Sequence, residues 1–538
     1  MEELSVLIGG RAGFGIDKSG SILSYIINRL GYRVYIYRNY PSIIRGGHTF
    51  SIIRASEDRV YSHKDPVDYI LALNQDTVNL HRQRIKKDSV IIYDADSVKC
   101  EGVSSCLAKY VVGISVSKIL KEENAPEVMR NTCVIGAFCK TIGIEWDAVE
   151  AVLRKEITKN IEINLKVARR GYDEVKSLAK MRKLDSSSLP LLTGNEAIAL
   201  GLINGGLNTY ISYPMTPTSP ILHFLSGVAE DFALRVIHPE SEIAVILMAL
   251  GSSYCGESVA VGTSGGGFCL MTEGLSFSGM AELPVVIILG QRPGPSTGLP
   301  TYTAQTELHF AINAGQGEFT RFVVAPGDAE EAYYWSGVSL NISKKFRIPS
   351  IVLEDKTLGE GTYNFDIDSA GKIGIEQSGF QSIPAKDSVI KINSYEHDEA
   401  GLTTEDPVIT KRMQDKRLAK TGLLLNELKK YETVKTYGNL KSPTVLLCWG
   451  SNKGVCKESA EKSGLKMVQP IALSPFPIDE FRAAIRGAKK IISVENNATG
   501  QLKLLLARYG VNIDEEILKY DGRPFSVNEL EDRIKKVM

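Results

Sequence analysis

Short apolar runs, each ending in a turn rich in glycine or proline, recur along the whole chain. Leu4 to Ile8 is the first. Gly9-Gly10-Arg11-Ala12-Gly13-Phe14-Gly15 interrupts it, helical spacing then holds from Lys18 to Leu30, and Gly31 stops it. A run of strand length, a turn no helix crosses and a 3.6-residue period predict strand, loop and helix in that order. Further runs at Arg33 to Tyr37, Phe50 to Arg54, Tyr69 to Leu73 and Val90 to Tyr93 predict an α/β unit over residues 1–180. Met181 to Pro190 has linker composition. Beyond it, Thr193-Gly194-Asn195-Glu196 predicts a helix with Asn195 as its N-cap, closed by Gly205-Gly206. Pro326-Gly327-Asp328 with Glu330 and Glu331 reads as another helix start of structural character. Residues 371–440 turn charged and irregular before a helix rich in Lys and Leu, and His397 there is expected in a solvated connection. Strands at Thr444 to Cys448, Lys466 to Gln469 and Lys490 to Val494 return the end of the chain to α/β.

The pattern is densest from Tyr210 to Thr303. TYISYPMTPT, IHPESEIA, VAVGTSGGG and PVVIILGQRPGPSTG each bring a β-rich run to a turn of Pro, Gly, Ser and Thr, where backbone and hydroxyl groups stay free for a ligand. Two prolines around Met215 and Thr216 forbid helix and display the hydroxyls of Thr216 and Thr218 on a stiff elbow, although a plain Pro-stiffened turn has the same look. Glu242 heads the apolar run IAVILMAL, either as a functional acid or as an ordinary partner of the helix dipole, and Glu240 is a neighbour of the second kind. Arg292 follows a buried-looking strand and precedes a Pro-Gly turn. A guanidinium at a strand end suits a carboxylate held by two hydrogen bonds, while a surface ion pair is the blander alternative.

At 538 residues the chain is too long for one core, and roughly one domain per 150 residues gives three or four. Lys and Arg number 63 against 63 Asp and Glu, with no basic block, which gives nucleic acid no electrostatic footprint. No apolar run reaches the roughly 18 residues of a membrane span, and MEELSVLIGG carries no basic leader, so no membrane association and a cytoplasmic location are expected. The cysteines Cys100, Cys106, Cys133, Cys139, Cys255, Cys269, Cys448 and Cys456 never stand two residues apart, and no histidine pair has ligand spacing, so no metal site is expected in this chain. The first glycine loop reads G-x-x-G-x-G, the reverse of the dinucleotide fingerprint, and the next strand ends at Arg38-Asn39 rather than an acid, which argues against NAD. Such a turn either offers N–H groups to a phosphate or merely packs helix on sheet.

In their order, YPMTP, ESEIA, TSGGG and QRPGPSTG resemble the pyrimidine-binding domain of the 2-oxoacid:ferredoxin oxidoreductases. The likeness is greatest to the long subunit that fuses a gamma-type domain ahead of the alpha-type domains, and it extends over nearly the whole chain. Met215 stands where Ile is more usual, and Gly266 where Pro is, which makes the SGGGF loop less rigid. The resemblance implies an α/β fold in parts: a gamma-type α/β domain over 1–180, a thiamine-diphosphate pyrimidine-binding α/β domain over 190–370, a charged connection over 371–440, and a transketolase C-terminal-like α/β domain over 441–538. WGSNKG at Trp449 and YDGRPF at Tyr520 belong to the last, which is expected to support assembly rather than chemistry.

That family oxidatively decarboxylates a 2-oxoacid with coenzyme A to acyl-CoA and carbon dioxide, or runs the reverse carboxylation, passing electrons to ferredoxin. No side chain can hold the charge that loss of carbon dioxide leaves, and the thiazolium of thiamine diphosphate can. By resemblance, Glu242 serves the cofactor's pyrimidine, Tyr213, Pro214, Thr263 and Ser264 line its site, and Thr216, Arg292 and Thr301 hold the substrate. Gly13, Gly15 and Arg45, the last within PSIIRGGH, are implied in contact with coenzyme A or a partner. No Gly-Asp-Gly triplet is present to hold diphosphate and Mg2+. Thiamine diphosphate is therefore expected to be shared with a beta subunit that brings Mg2+ and a [4Fe-4S] cluster, in an αβ or α2β2 hetero-oligomer. The subunit layout favours 2-oxoglutarate over pyruvate by analogy alone. Two other readings stay open: a thiamine-dependent decarboxylase or synthase subunit without electron transfer, and a non-catalytic dinucleotide-binding module.

Overall fold

The computed structural model describes residues 3–42, 46–99, 108–375 and 391–538. Arg45, Cys100 and Cys106 lie outside them. The chain divides into two compact units: Met1–Leu191 with Gly361–Phe365 and Ser526–Glu529, and the remainder.

In the first unit, the strand Glu3–Arg11 lies between an antiparallel neighbour, His48–Ser56, and a parallel one, Val67–Ala72. Ile85–Asp94 and Tyr110–Ile114 extend the parallel side, and Arg33–Asn39 and Thr362–Asn364 the antiparallel side. Most residues of the three central strands are buried, which explains why these segments read as continuous apolar runs rather than alternating ones. The helix Ile16–Arg29 starts two residues before its expected position, because Gly15 takes a left-handed φ of 69° that turns the chain into it. Its buried face, Ile22, Leu23, Ile26 and Ile27, joins one core with Leu4, Val6 and Ile8.

The second unit contains a seven-stranded sheet and a five-stranded sheet. In the larger, Arg235–Ile237, Thr209–Ser212, Val259–Ser264, Val285–Gln291, Pro349–Asp355 and Phe322–Val324 pair in parallel in that order, and Ala472–Ser474 closes the edge antiparallel. The smaller sheet is built on Thr444–Cys448 between Lys466–Pro470 and Lys490–Glu495, as the runs of apolar residues predict.

Three expectations need correction. Thr193, not Asn195, caps the helix Gly194–Asn204: its hydroxyl accepts from the Glu196 N–H while the Glu196 carboxylate takes the Thr193 N–H, a reciprocal box that leaves Asn195 free to turn inward. Gly266 lies in no loop. The helix Gly265–Ala281 begins directly after the strand, so the three glycines form its first turn. His397 is 9% exposed, bridged to Thr403, with Nδ1 at 2.9 Å from the Tyr395 carbonyl, so the connection is locally ordered around it.

Candidate active site

Because Arg235–Ile237, Thr209–Ser212, Val259–Ser264 and Val285–Gln291 run parallel, the segments that follow them, three turns and one helix start, emerge at one edge of one sheet. That edge is where open parallel sheets bind ligands. These are the four segments in which the sequence placed its candidates.

Glu242 is the first residue of the helix Glu242–Tyr254, capped by Ser241, whose hydroxyl accepts from the Ala244 N–H at 3.4 Å. It is 5% exposed, yet no hydrogen bond or ion pair engages its carboxyl among the described residues. It lies against Gly267 in the first turn of Gly265–Ala281: a Cβ there would come within 2.6 Å of Glu242 Oε1 and 2.2 Å of Thr263 Oγ1. The glycine thus lets acid and hydroxyl approach a helix start closely. A carboxyl left unpartnered on a mostly buried residue at a helix start fits a ligand atom that carries or accepts a proton. Glu240 is exposed.

Arg292 lies immediately beyond the strand Val285–Gln291 and donates from Nη1 to the Thr216 carbonyl at 3.0 Å, tying the second proline elbow to the Arg loop. Its Nε is buried without a partner, and so is the hydroxyl of Thr301. Burial lowers the guanidinium's pKa, opposed by the charge of Glu307. Among the described residues no ion pair holds Arg292. The elbow is seated against the sheet at Gly290, where a Cβ would come within 2.7 Å of Pro217 Cδ.

The remaining candidates divide. Ser264 is fully buried with an unpartnered Oγ and does not cap its helix, while Thr263 Oγ1 reaches only the Ser264 carbonyl at 3.4 Å. Tyr213 is exposed, with Pro214 and Thr216 half-buried beside it. Gly13 and Gly15 belong to the first unit, where their loop borders a cavity of about 430 Å3 whose lining includes Arg11, Phe14, Asn74 and Arg130 together with the acids Asp76 and Glu127. Gly13 has φ 97° with nothing within 4 Å of a Cβ, so its conformation rather than its space demands glycine.

Sequence reasoning missed three polar groups at the sheet edge. Asn195 Nδ2 donates to the Pro217 carbonyl at 3.0 Å. Glu354, near the end of Pro349–Asp355, is fully buried with neither oxygen bonded, and burial raises its pKa well above the carboxylate range. Glu307 lies beyond the Arg loop, and burial lifts it to about 7. The only signal in the sequence was an acid within an apolar stretch, which Glu354 and Glu307 share with many surface residues.

An open parallel sheet whose strand-end turns gather an unpartnered acid, buried hydroxyls and a half-buried arginine defines a cofactor-dependent α/β enzyme subunit. The thiamine-diphosphate-binding model of pyruvate flavodoxin/ferredoxin oxidoreductases matches residues 200–416, and the pyruvate ferredoxin/flavodoxin oxidoreductase model residues 5–174. The 2-oxoacid:ferredoxin oxidoreductase subunit alpha of a Sulfolobus species is 30% identical over 99% of this chain and 97% of its own length. The 2-oxoglutarate oxidoreductase subunit KorA of Mycobacterium tuberculosis is 24% identical over 98% and 91%. A solved 2-oxoglutarate:ferredoxin oxidoreductase from Magnetococcus marinus, with 2-oxoglutarate, coenzyme A and succinyl-CoA bound, superposes with a TM-score of 0.89 at 26% identity over 100% of this chain and 99% of that one. The chain belongs to the 2-oxoacid:ferredoxin oxidoreductases as an alpha subunit. It is one part of a multi-subunit oxidoreductase, and it carries the thiamine-diphosphate-binding domain. The resemblance drawn from the four turns therefore holds. No helix among the described residues is long and apolar enough to cross a membrane.

Proposed function

We propose that this chain contributes the pyrimidine half of a thiamine diphosphate site together with the clamp for the 2-oxoacid carboxylate, and that the 2-oxoacid is 2-oxoglutarate. Bound thiamine diphosphate supplies a thiazolium able to take the charge left when carbon dioxide departs. Glu242 would hold a proton at the cofactor's pyrimidine, and Thr263, Ser264, Tyr213 and Pro214 would line its site. Arg292 and the hydroxyls of Thr216 and Thr301 take the substrate carboxylate. The observation that carries this reading is the pairing, on one sheet edge, of a 5% exposed acid with no partner among the described residues and an arginine whose buried Nε has none. Each lacks what its own proposed ligand would provide.

Coenzyme A enters this reading as the acyl acceptor. Arg11 is exposed beside the Gly13–Gly15 loop and the cavity there, with no ion pair holding it among the described residues, which suits a phosphate of the coenzyme. The bound states of the Magnetococcus marinus enzyme support both the substrate and the coenzyme. Diphosphate, Mg2+ and the [4Fe-4S] cluster fall to a beta subunit, since the sequence has no Gly-Asp-Gly triplet and no closely spaced cysteines.

Arg292→Ala in the assembled complex tests the clamp. It is expected to lower kcat/KM for 2-oxoglutarate by about 2–4 kcal/mol, or roughly 30- to 1,000-fold, because the substrate carboxylate is left unpaired in a partly desolvated site. Affinity for thiamine diphosphate should survive. Unchanged steady-state kinetics would place the substrate pocket elsewhere.

A further inference from the structure

Between the Arg loop and the helix Leu308–Asn313 lies an acid that none of the roles above uses. Glu307 is 9% exposed. A Cβ on Gly265 would come within 2.8 Å of its Oε1, Thr306 Oγ1 donates to its Oε2 at 2.9 Å, and its N–H donates to Gln291 Oε1 at 3.1 Å. Thr306 Oγ1 also reaches the Arg292 carbonyl at 3.4 Å, so acid and arginine share one threonine. The segment is bolted in place: Gln305 donates to the Trp449 carbonyl at 2.8 Å and accepts from Asn452 at 2.8 Å, and Asn497 donates to the Gln305 carbonyl at 3.0 Å.

The charged groups around the carboxyl are few. Arg292, at the strand end, favours its ionised form, and Asp355, from the neighbouring strand, opposes it. Glu242 stands across the same helix start, against Gly267. His309, on Glu307's own segment, turns its ring to the Gln501 carbonyl at 2.9 Å. Burial outweighs Arg292 and lifts the carboxyl to about 7, so its charge changes near neutrality. No ion pair joins Glu307 to Arg292 among the described residues, and Arg292 Nε stays unpartnered.

We propose that Glu307 is a positioning residue for the 2-oxoacid: its carboxyl competes with the substrate's carboxylate for the charge of Arg292. This rests on the assignment of Arg292 as the clamp. With Glu307 neutral, the guanidinium's charge is wholly available to the incoming anion. With Glu307 ionised, part of that attraction is already satisfied and two carboxylates face one cation. A substrate anion beside Arg292 must in turn make Glu307 hold its proton more tightly, so substrate binding and proton uptake are linked.

The assembled complex, assayed with 2-oxoglutarate and saturating coenzyme A, tests this. KM is expected to rise about tenfold from about pH 6 to about pH 8 while kcat changes far less, the one-proton dependence of a competing carboxylate. Glu307→Gln, neutral and nearly isosteric, should hold KM at the low-pH wild-type value across that range with kcat within about twofold. Glu307→Asp should restore a pH dependence. A Gln variant whose KM follows the wild-type curve, or whose kcat falls in step at every pH, overturns the proposal. Should that variant fail to assemble, calorimetry of glutarate binding to the wild-type complex in two buffers of different ionisation enthalpy decides: proton uptake near pH 7 supports it, and none overturns it. Arg292→Ala run in parallel separates the layers. Unchanged KM there removes the clamp itself, whereas a raised KM with an unaltered Glu307→Gln profile removes only Glu307's part.

Discussion

Glu242 and Glu240 stand two residues apart and differ in everything that matters chemically. Glu240 is exposed, while Glu242 is buried at the start of a helix, against a glycine and without a partner. If Glu242 holds the proton at the pyrimidine, Glu242→Gln should preserve the fold and most cofactor affinity but slow hydrogen exchange at the thiazolium C2 by at least about 100-fold, the size of a general acid–base contribution. Glu240→Gln should be nearly silent. Quenched-flow NMR on the assembled complex reads both, and native exchange in the Glu242 variant would refute the assignment. This acid, Arg292 and the threonines were legible because proline, glycine and a strand end flank them, and those residues constrain the backbone wherever they stand. Glu307 and Glu354 were not. What marks them is enclosure by segments far away in sequence, which no local pattern records. Asn195 was misread for a related reason: Thr193 and Asn195 both have cap chemistry, and only the reciprocal bond from Glu196 decides between them.

At the scale of elements, strands came through best, since those buried on both faces are continuous apolar runs. The strand Val434–Gly438 did not, because an edge strand of VKTYG alternates too weakly to stand out from the charged stretch before it. The long helix Pro407–Leu428 was expected from its Lys and Leu, but its charges do more than face solvent. Glu282, the left-handed residue that ends the helix Gly265–Ala281, takes Lys416 at 2.7 Å and pairs with Lys420 as well. Burial by itself would raise the Glu282 carboxyl, but the two lysines hold it down to about 2. Lys420 does not mirror it, since burial drags the ammonium down to about 8 despite the carboxylate. Two cations face the one acid, which therefore stays ionised well into the acid range. A carboxyl depressed on folding stabilises above its ordinary value of 4.5, and that stabilisation is lost as pH falls from there towards about 2. Glu282→Gln should therefore cost about 2–4 kcal/mol at neutral pH by leaving Lys420 buried and unpaired, and should flatten the acid limb of stability. Denaturant midpoints at about pH 7 and about pH 3 check both; a variant with wild-type midpoints would make the pair a surface ornament.

For the whole molecule, the residues it lacks and the surface it shows lead to the same requirement. Of the cysteines described, Cys133, Cys139, Cys448 and Cys456 are buried and only Cys255 and Cys269 are exposed, the first at the C-cap of Glu242–Tyr254 and the second within Gly265–Ala281. Burial pushes the Cys133 thiol up to about 12, far from the thiolate a cluster binds. Among the described residues no group of three or more His, Cys, Asp or Glu could hold a metal ion. Meanwhile the helix that begins with Glu242 exposes Ile243, Leu247 and Met248, and the helix beside it exposes Leu270. Apolar side chains exposed together beside Glu242 suit a surface that another chain covers, and on the proposed role of Glu242 such a cover would also complete its enclosure. The chain purified alone should then carry no stoichiometric iron and show no 2-oxoacid-dependent reduction of a viologen dye. Activity should appear only when a cluster-bearing subunit is added. Leu247→Lys, a change at an exposed position, should leave the chain folded by circular dichroism yet weaken assembly by at least about tenfold, since an ammonium would have to be desolvated at the contact. Iron and dye reduction in the isolated chain would place the electron path here after all, and normal assembly of the Leu247 variant would move the partner to another face.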